Sequence, residues 1–311
     1  MIRLHCRPAT LPTFTIMLLA TTLGNVRAET PPTTDSVVVK LLNAGQTPRR
    51  ILRYVPEMGS VQKAVMTTKM EMQTTANGLQ QPAMKIPAQE ITMMITVDNV
   101  DESGDIHFRF RYEDLQVIDD PENPSPMAAM LKRTLQPLVG MKGKGVVDSR
   151  GFTTSMDITI PDDTPDMMKQ ILTGMKDMFN HLSSPVPAEA VGVGAKWQVT
   201  QPIKANGMEL TQISTHELTE MNQDGFTVQA DLVQTGKPQP VANPNLPPGV
   251  KITLNSLDTE GDGKSELKLG LMLPTSAKVR IVSKSDMTIE AAGQNQKIAT
   301  ETNMNMSIRP E

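Results

Sequence analysis

Residues 106–117 read IHFRFRYEDLQV, and this stretch decides the fold class. Apolar and polar side chains alternate strictly over its first seven positions, from Ile106 to Tyr112. Successive side chains of a β-strand point to opposite faces of the sheet, so strict alternation is typical of a strand with one buried face and one solvated face. We therefore predict a half-buried strand over Ile106–Val117.

Other segments on both sides of this stretch have strand character, several with the same two-residue period. Turn sequences such as Asn77-Gly78, Asp101–Gly104, Asp224-Gly225 and Asp262-Gly263 separate many of them. Such residues favour the backbone conformations of tight turns, so consecutive strands are expected to run antiparallel. The remaining predicted strands are 50–55, 63–75, 90–100, 146–149, 152–160, 194–199, 208–221, 226–235, 250–257, 265–271, 277–291 and 296–308.

Two helices are predicted between the two groups of strands. In the first, Ser125 is an N-cap and Pro126 occupies the first turn. Its apolar positions follow one helical face, namely Met127, Met130, Leu131, Leu135 and Leu138. The second helix begins with Thr164, Pro165 and Asp166. Its apolar stripe consists of Met167, Met168, Ile171, Leu172, Met175, Met178, Phe179 and Leu182.

The predicted fold is mainly β, a curved antiparallel sheet or half-barrel with two inserted helices. Long consecutive strands tend to curl, and the apolar faces of the helices would pack against the open side of the curved sheet. We assign 37–311 to a single β-rich domain. The Pro-rich stretch at 237–248 is a candidate boundary for a subdivision.

Residues 1–28 have the character of a cleavable secretory signal. Arg3 and Arg7 precede an apolar run, and Val26-Arg27-Ala28 predicts cleavage before Glu29. Residues 29–36 form a Pro-rich polar tether that we expect to be disordered. The protein is therefore expected to be exported, periplasmic or secreted. No later apolar stretch approaches the ~20 residues of a membrane-spanning helix, so we expect no transmembrane segment in the mature chain.

Charge and composition exclude several functional classes. The 30 basic and 34 acidic residues give a net charge of −4, which argues against nucleic-acid binding. The single cysteine, Cys6, lies in the signal, so the mature chain has no thiol nucleophile, disulfide or thiolate metal site. No hydrolase, zinc-protease or phosphate-loop motif occurs, and His107, His181 and His216 lack a recognisable partner pattern. We predict a non-enzymatic protein without a cofactor, catalytic residues or metal ligands.

Two sequence patterns suggest a metal site, and each also has a structural interpretation. Asp258–Gly263 resembles the start of a calcium loop, but position 12 is Leu269 rather than glutamate, and a hairpin turn is favoured. The motifs Met70-Glu71-Met72 and Met304-Asn305-Met306, with the pair Met93-Met94, could supply soft thioether ligands to Cu(I). Alternation in a methionine-filled strand gives the same spacing, so Cu(I) binding is kept as an alternative.

The stretches Val191–Trp197 and Asp262–Leu269 resemble a family of uncharacterised secreted bacterial proteins. Those proteins share a Gly-x-x-Trp strand after a helix and a late Gly-x-Gly turn. The family has no established activity, so the resemblance implies export and no site residues. The expected architecture is also distantly similar to periplasmic lipoprotein carriers and lipid-binding lipoproteins, an analogy of fold only.

The leading functional hypothesis is an exported cell-envelope protein that binds a lipid, an acyl chain or another hydrophobic ligand. The chain has 23 methionines and few aromatic residues, and methionine adapts to varied apolar partners. The predicted groove residues are Met167, Met168, Ile171, Met175, Met178 and Phe179. The alternatives are a structural or protein-interaction envelope protein with a closed core, and the Cu(I)-binding protein.

Overall fold

The computed structural model describes residues 37–119, 122, 125–159, 185–205, 207–241, 249–291 and 293–311. The strands are β1 (Val38–Asn43), β2 (Val61–Ala76), β3 (Leu79–Gln80), β4 (Met84–Val100), β5 (Ile106–Ile118), β6 (Lys142–Val147), β7 (Thr153–Ile158), β8 (Lys196–Ala205), β9 (Met208–Met221), β10 (Gly225–Gly236), β11 (Gln239–Pro240), β12 (Lys251–Lys268), β13 (Ser276–Ala291) and β14 (Gln294–Pro310). Helix α1 spans Pro126–Leu135.

All of these strands belong to one antiparallel sheet. Its order is β1-β8-β9-β10-β12-β13-β14-β2-β4-β5-β6-β7, with the two-residue strands β3 and β11 paired to β2 and β12. The sheet is curved and is not closed on itself. The prediction of a mainly β protein with a curved antiparallel sheet is therefore confirmed. The pairing of β14 with β2 joins strands from opposite ends of the described chain.

One face of the sheet, here called the inner face, carries three apolar clusters. The first lies around Trp197, Leu218 and Leu52, and the second around Phe110 and Tyr112 of β5. The third lies around Leu210 and Leu254, farther along the same strands. Alternation places the strand residues of these clusters on one face, and Leu52 joins the first cluster from outside the sheet. Residues 106–112 follow this rule, because the apolar residues are buried and the polar ones are not.

Helix α1 confirms the first predicted helix and corrects its apolar face. The Ser125 hydroxyl accepts a hydrogen bond from the Met127 amide at 3.1 Å, as an N-cap does. A 3₁₀ turn over Gln136–Leu138 follows and buries Leu138. Met130 was predicted to face the core but is exposed. The second predicted helix, 164–182, lies outside the described residues.

Two further predictions are wrong. The segment 50–55 is not a strand, because after the single bridge of Arg50 to Val191 its backbone bonds to two different segments. The amide of Tyr54 donates to the carbonyl of Ser149, and that of Val55 to the carbonyl of Leu269. Asp262-Gly263 is not a turn, because β12 runs through it with β10 on one side and β13 on the other.

In the part of the chain described, no helix combines the length and the hydrophobicity that crossing a membrane requires.

Candidate functional site

A small apolar cavity of about 120 Å³ lies between the first two clusters and is partly open to solvent. β4 supplies Met93 and Ile95, and β5 supplies Ile106, Phe108 and Phe110. All of these side chains lie at the alternating apolar positions of their strands. The same alternation that puts them on the inner face therefore directs them toward the cavity. β4 and β5 therefore form one wall of the site.

A loop between β12 and β13 forms the opposite wall. Met272, Leu273 and Pro274 line the cavity from this loop. Gln62 of β2 fixes the loop, because its side-chain nitrogen donates to the Leu273 carbonyl at 2.9 Å and its side-chain oxygen accepts from the Leu273 amide at 2.8 Å. Both polar groups of a side-chain amide are thus satisfied by one backbone residue, which holds the loop against the sheet.

The rest of the lining is also mostly apolar and comes from distant segments. Met156 of β7 and Leu267 of β12 contribute, as does Tyr54 from the irregular segment before β2. The Tyr54 ring is tilted against Phe226 with centroids 6.5 Å apart. Burial raises the pKa of Tyr54 above its usual range, so its hydroxyl stays neutral at any ordinary pH. The lining carries no charge under those conditions.

A second arrangement with potential chemistry is the pair Ser214 and His216 on β9. The imidazole Nε2 lies 3.0 Å from the Ser214 hydroxyl oxygen, and the ring stacks on Trp197 with centroids 5.3 Å apart. Burial lowers the pKa of His216 to about 4, which keeps the ring neutral. Ser214 and His216 are only 9% and 7% exposed, and neither lines the cavity. The pair serves to satisfy polar groups in the core beside Trp197.

The inner face is not apolar throughout. Strand register aligns one polar side chain from each of six neighbouring strands into a row across the sheet. Within it the hydroxyls of Thr259 and Ser283 lie 2.8 Å apart and share a hydrogen bond. This polar row separates the third apolar cluster from the other two. Its members are Gln201, Gln212, Gln234, Thr259, Ser283 and Thr302.

The two Met-x-Met motifs lie next to each other in the sheet. β2 pairs with β14 so that Met70 is directly opposite Met304, while Met72 is opposite Thr302. The Met93-Met94 pair is divided by alternation, since Met93 lines the cavity and Met94 points to the other face. Alternation along a strand keeps the two methionines of each Met-x-Met motif on one face, but the meeting of the two motifs depends on a long-range strand pairing.

The calcium hypothesis is not supported by the backbone. Asp258, Glu260 and Asp262 alternate along strand β12 and point away from the inner face, with Lys284 and Arg280 opposite the two aspartates. A strand cannot wrap its oxygens around one ion as a calcium loop does. Among the described residues, no group of three or more His, Cys, Asp or Glu side chains could hold a metal ion.

All six predicted groove residues, Met167, Met168, Ile171, Met175, Met178 and Phe179, lie outside the described residues. The lining of the described cavity was not predicted as a site, although Phe108 and Phe110 belong to the predicted alternation at 106–112. The strand alternation marks Phe108 and Phe110 as residues of the buried face. No comparable pattern marks Tyr54 and Met272, because both reach the cavity from irregular segments.

Comparison with known proteins adds little. No family model and no curated protein matches the chain. Among solved structures, a multiple mutant of the Rh. blastica porin is similar at 8% sequence identity, over 80% of this chain and 100% of that chain, with a TM-score of 0.21. Salmonella typhi OmpF in complex with daunomycin is similar at 6% identity over 79% and 98% of the two chains, with a TM-score of 0.22. Such low scores carry no conclusion about this protein.

Proposed function

We propose that this chain is an exported, non-enzymatic cell-envelope protein that binds the apolar part of a lipid or another acyl-chain ligand. The observation that carries the proposal is the uncharged cavity between β4, β5 and the loop at Met272. Ligand sites are typically concave and lined by hydrophobic and aromatic side chains, with few polar groups. This cavity has that composition and is partly open to solvent.

The size of the cavity limits what it accepts. An engineered protein cavity of about 150 Å³ stays dry and binds benzene. A cavity of about 120 Å³ therefore holds a short run of methylenes or one ring, and not a whole lipid. We expect one end of a chain to enter, with the remainder of the ligand lying outside it.

The methionines of the lining favour this type of ligand. Met93, Met156 and Met272 contribute unbranched side chains from three different elements. Methionine has three rotatable bonds and adjusts to apolar groups of varied shape at little cost. A ligand class with variable chain length and unsaturation is consistent with such a lining. The secretory character of residues 1–28 supports an envelope setting for the same function.

The test is displacement of an environment-sensitive hydrophobic dye by fatty acids. We expect saturable dye binding, competed by fatty acids, and a loss of affinity of about tenfold in Met272→Trp, because the larger ring fills the cavity from the loop side. Met58→Trp is the matched control, since Met58 is exposed and does not line the cavity. Thermal midpoints confirm that both variants are folded.

Native mass spectrometry of the gently purified protein identifies the ligand class. A bound mass of lipid size supports the proposal. Absence of saturable dye binding, or equal affinity in Met272→Trp and Met58→Trp, overturns it and favours the alternative of an envelope protein with a closed core.

A further inference from the structure

Five half-buried methionines are grouped on three adjacent strands, β4, β2 and β14. Met70 is opposite Met304 across one strand pair, and Met72 is opposite Met84 across the other. Met306 lies two residues beyond Met304 on the same strand and the same face. We call Met70, Met72, Met84, Met304 and Met306 the methionine cluster.

Core packing does not account for this cluster. In the residues that the structure describes, none of the three apolar clusters includes any of its members. Core methionines such as Met156 and Met208 are each only 7% exposed, whereas all five cluster members keep intermediate exposure. Half-buried methionines elsewhere, such as Met221 and Met287, pack against an apolar cluster, and within the described residues none of these five does. Here they line an accessible stretch of the inner face.

The register brings the sulfurs within reach of a common point. Residues directly opposite in an antiparallel pair have Cβ atoms about 4.5–5.5 Å apart, and diagonal neighbours lie about 7–8 Å apart. Met70 and Met304 form the direct pair, and Met72 is diagonal to Met304. Each side chain has three rotatable bonds, so their sulfurs can converge without movement of the backbone.

The donor set selects a particular kind of ion. Thioethers are neutral, soft ligands that suit Cu(I), whereas carboxylates and carbonyls suit calcium and magnesium. The charged neighbours Lys69, Glu71 and Lys85 alternate to the opposite face of the sheet. The only cysteine is Cys6, so no thiolate within 37–311 competes for a soft metal.

We propose that Met70, Met72 and Met304 form a thioether site for the soft monovalent cation Cu(I), with Met84 and Met306 as flanking donors. The site is separate from the cavity at Met272, because no member of the cluster lines that cavity. The Cu(I) proposal can therefore be tested independently of the apolar-ligand proposal.

The experiment is anaerobic competition for Cu(I) against a chromogenic chelator, using residues 29–311, which lack Cys6, and the metal alone. We expect one Cu(I) per chain, and an affinity at least about tenfold lower in Met70→Leu/Met72→Leu/Met304→Leu, since removing even outer partners of a metal site costs 10–100-fold. The matched control is Met94→Leu/Met221→Leu/Met287→Leu, which removes three half-buried thioethers outside the cluster. Leucine conserves volume, and thermal midpoints report folding.

Failure of the wild-type chain to take Cu(I) from the chelator, or equal losses in the two triple variants, overturns the proposal. Methyl NMR of ¹³C-methyl-methionine protein provides a measurement without mutation. Cu(I) should shift the methyl signals of Met70, Met72 and Met304. Shifts confined to other methionines, such as the four within 160–184, would show that the site lies elsewhere.

Discussion

The β8–β9–β10 region and the β13–β14–β2 region share one sheet and one alternation, but they differ in how their inner faces are built. In the first, Trp197, His216 and Leu218 are almost completely buried. In the second, the corresponding inner positions include Met70, Met304 and Met306, which remain half-buried. Periodicity assigns a side chain to a face, whereas burial depends on what packs over that face.

The side-chain types follow this difference. Rigid aromatic and branched residues occupy the buried region, where close packing rewards a fixed shape. In the other region methionine and small hydroxyl residues share the inner face with Val279, Ile281 and Ile308, and that face is less covered in the part of the chain described. The two regions should therefore respond differently to the same kinds of change.

The largest effect is expected for Trp197→Ala in the buried region. Trp197 is 1% exposed, stacks on His216, and donates from its indole nitrogen to the Pro185 carbonyl at 3.0 Å. Its loss leaves a cavity and an unsatisfied carbonyl, which should lower the free energy of unfolding by about 3–5 kcal/mol. Urea denaturation measures this, and a loss below about 1 kcal/mol would show that the region is not tightly packed.

The next effect concerns pH and the buried His216. Its pKa is about 4 in the folded protein, below the ordinary value of 6.5, so the unfolded chain binds the extra proton first as pH falls. Stability is fully present above pH 6.5 and declines toward pH 4, by about 3 kcal/mol in total. The Asp101 carboxylate, whose pKa is lowered to about 2 chiefly by the Ser103 hydroxyl, titrates below this window.

Denaturation curves from pH 7 to 4 for the wild type and His216→Gln measure the effect. The variant should lose most of the slope between pH 6.5 and 4. An identical slope in both proteins would assign the pH dependence to other groups.

Replacing Gly143 and Gly263 by alanine tests how tightly two parts of the sheet are packed. A Cβ on Gly143 would overlap the Phe110 ring and lie 2.6 Å from the Asp157 carbonyl oxygen. On Gly263 it would lie 3.0 Å from the Lys278 carbonyl oxygen and 3.1 Å from a methyl of Val279. We expect Gly143→Ala to cost about 1–3 kcal/mol and Gly263→Ala clearly less, as measured by urea denaturation. Equal losses in the free energy of unfolding would show that the two parts of the sheet are packed equally tightly.

The smallest effect is expected for Met70→Leu/Met304→Leu in the methionine cluster. Leucine and methionine have similar volumes, and each such swap usually costs less than about 1.5 kcal/mol. Because these side chains are half-buried, the change in the free energy of unfolding should lie well below that limit. Thermal and urea denaturation in the absence of metal measure it, and a loss as large as that of Trp197→Ala would show that the cluster is core.

Much of the fold was predictable because local signals agreed with the final structure. The alternation at 106–112, the cap at Ser125 and the strand bounds Met208–Met221 are all confirmed. Asn77-Gly78 forms the expected turn, with positive φ at both residues.

The failures have physical causes. Asp262-Gly263 has the composition of a turn, but pairing with β10 and β13 keeps β12 extended, so tertiary context overrides propensity. The cavity combines strand positions with Tyr54 and Met272 from irregular segments, and no periodicity marks those two residues. The pairing partner of each strand was not predictable either, because alternation specifies the face on which a residue lies and not its neighbour on the adjacent strand.

The pairing of β14 with β2 has a consequence for assembly of the molecule. On one side of this pairing lie β1 and the strands β8 to β13, and on the other side lie the strands β2 to β7. The paired residues run from Ala64 opposite Pro310 to Ala76 opposite Ile298. Such non-local contacts form slowly, because a long chain must be closed before they are made. Until β14 has been synthesised and placed, β13 and β2 are long unpaired edges that can template aggregation. We therefore expect the yield of folded protein to depend on how quickly β14 covers these two edges.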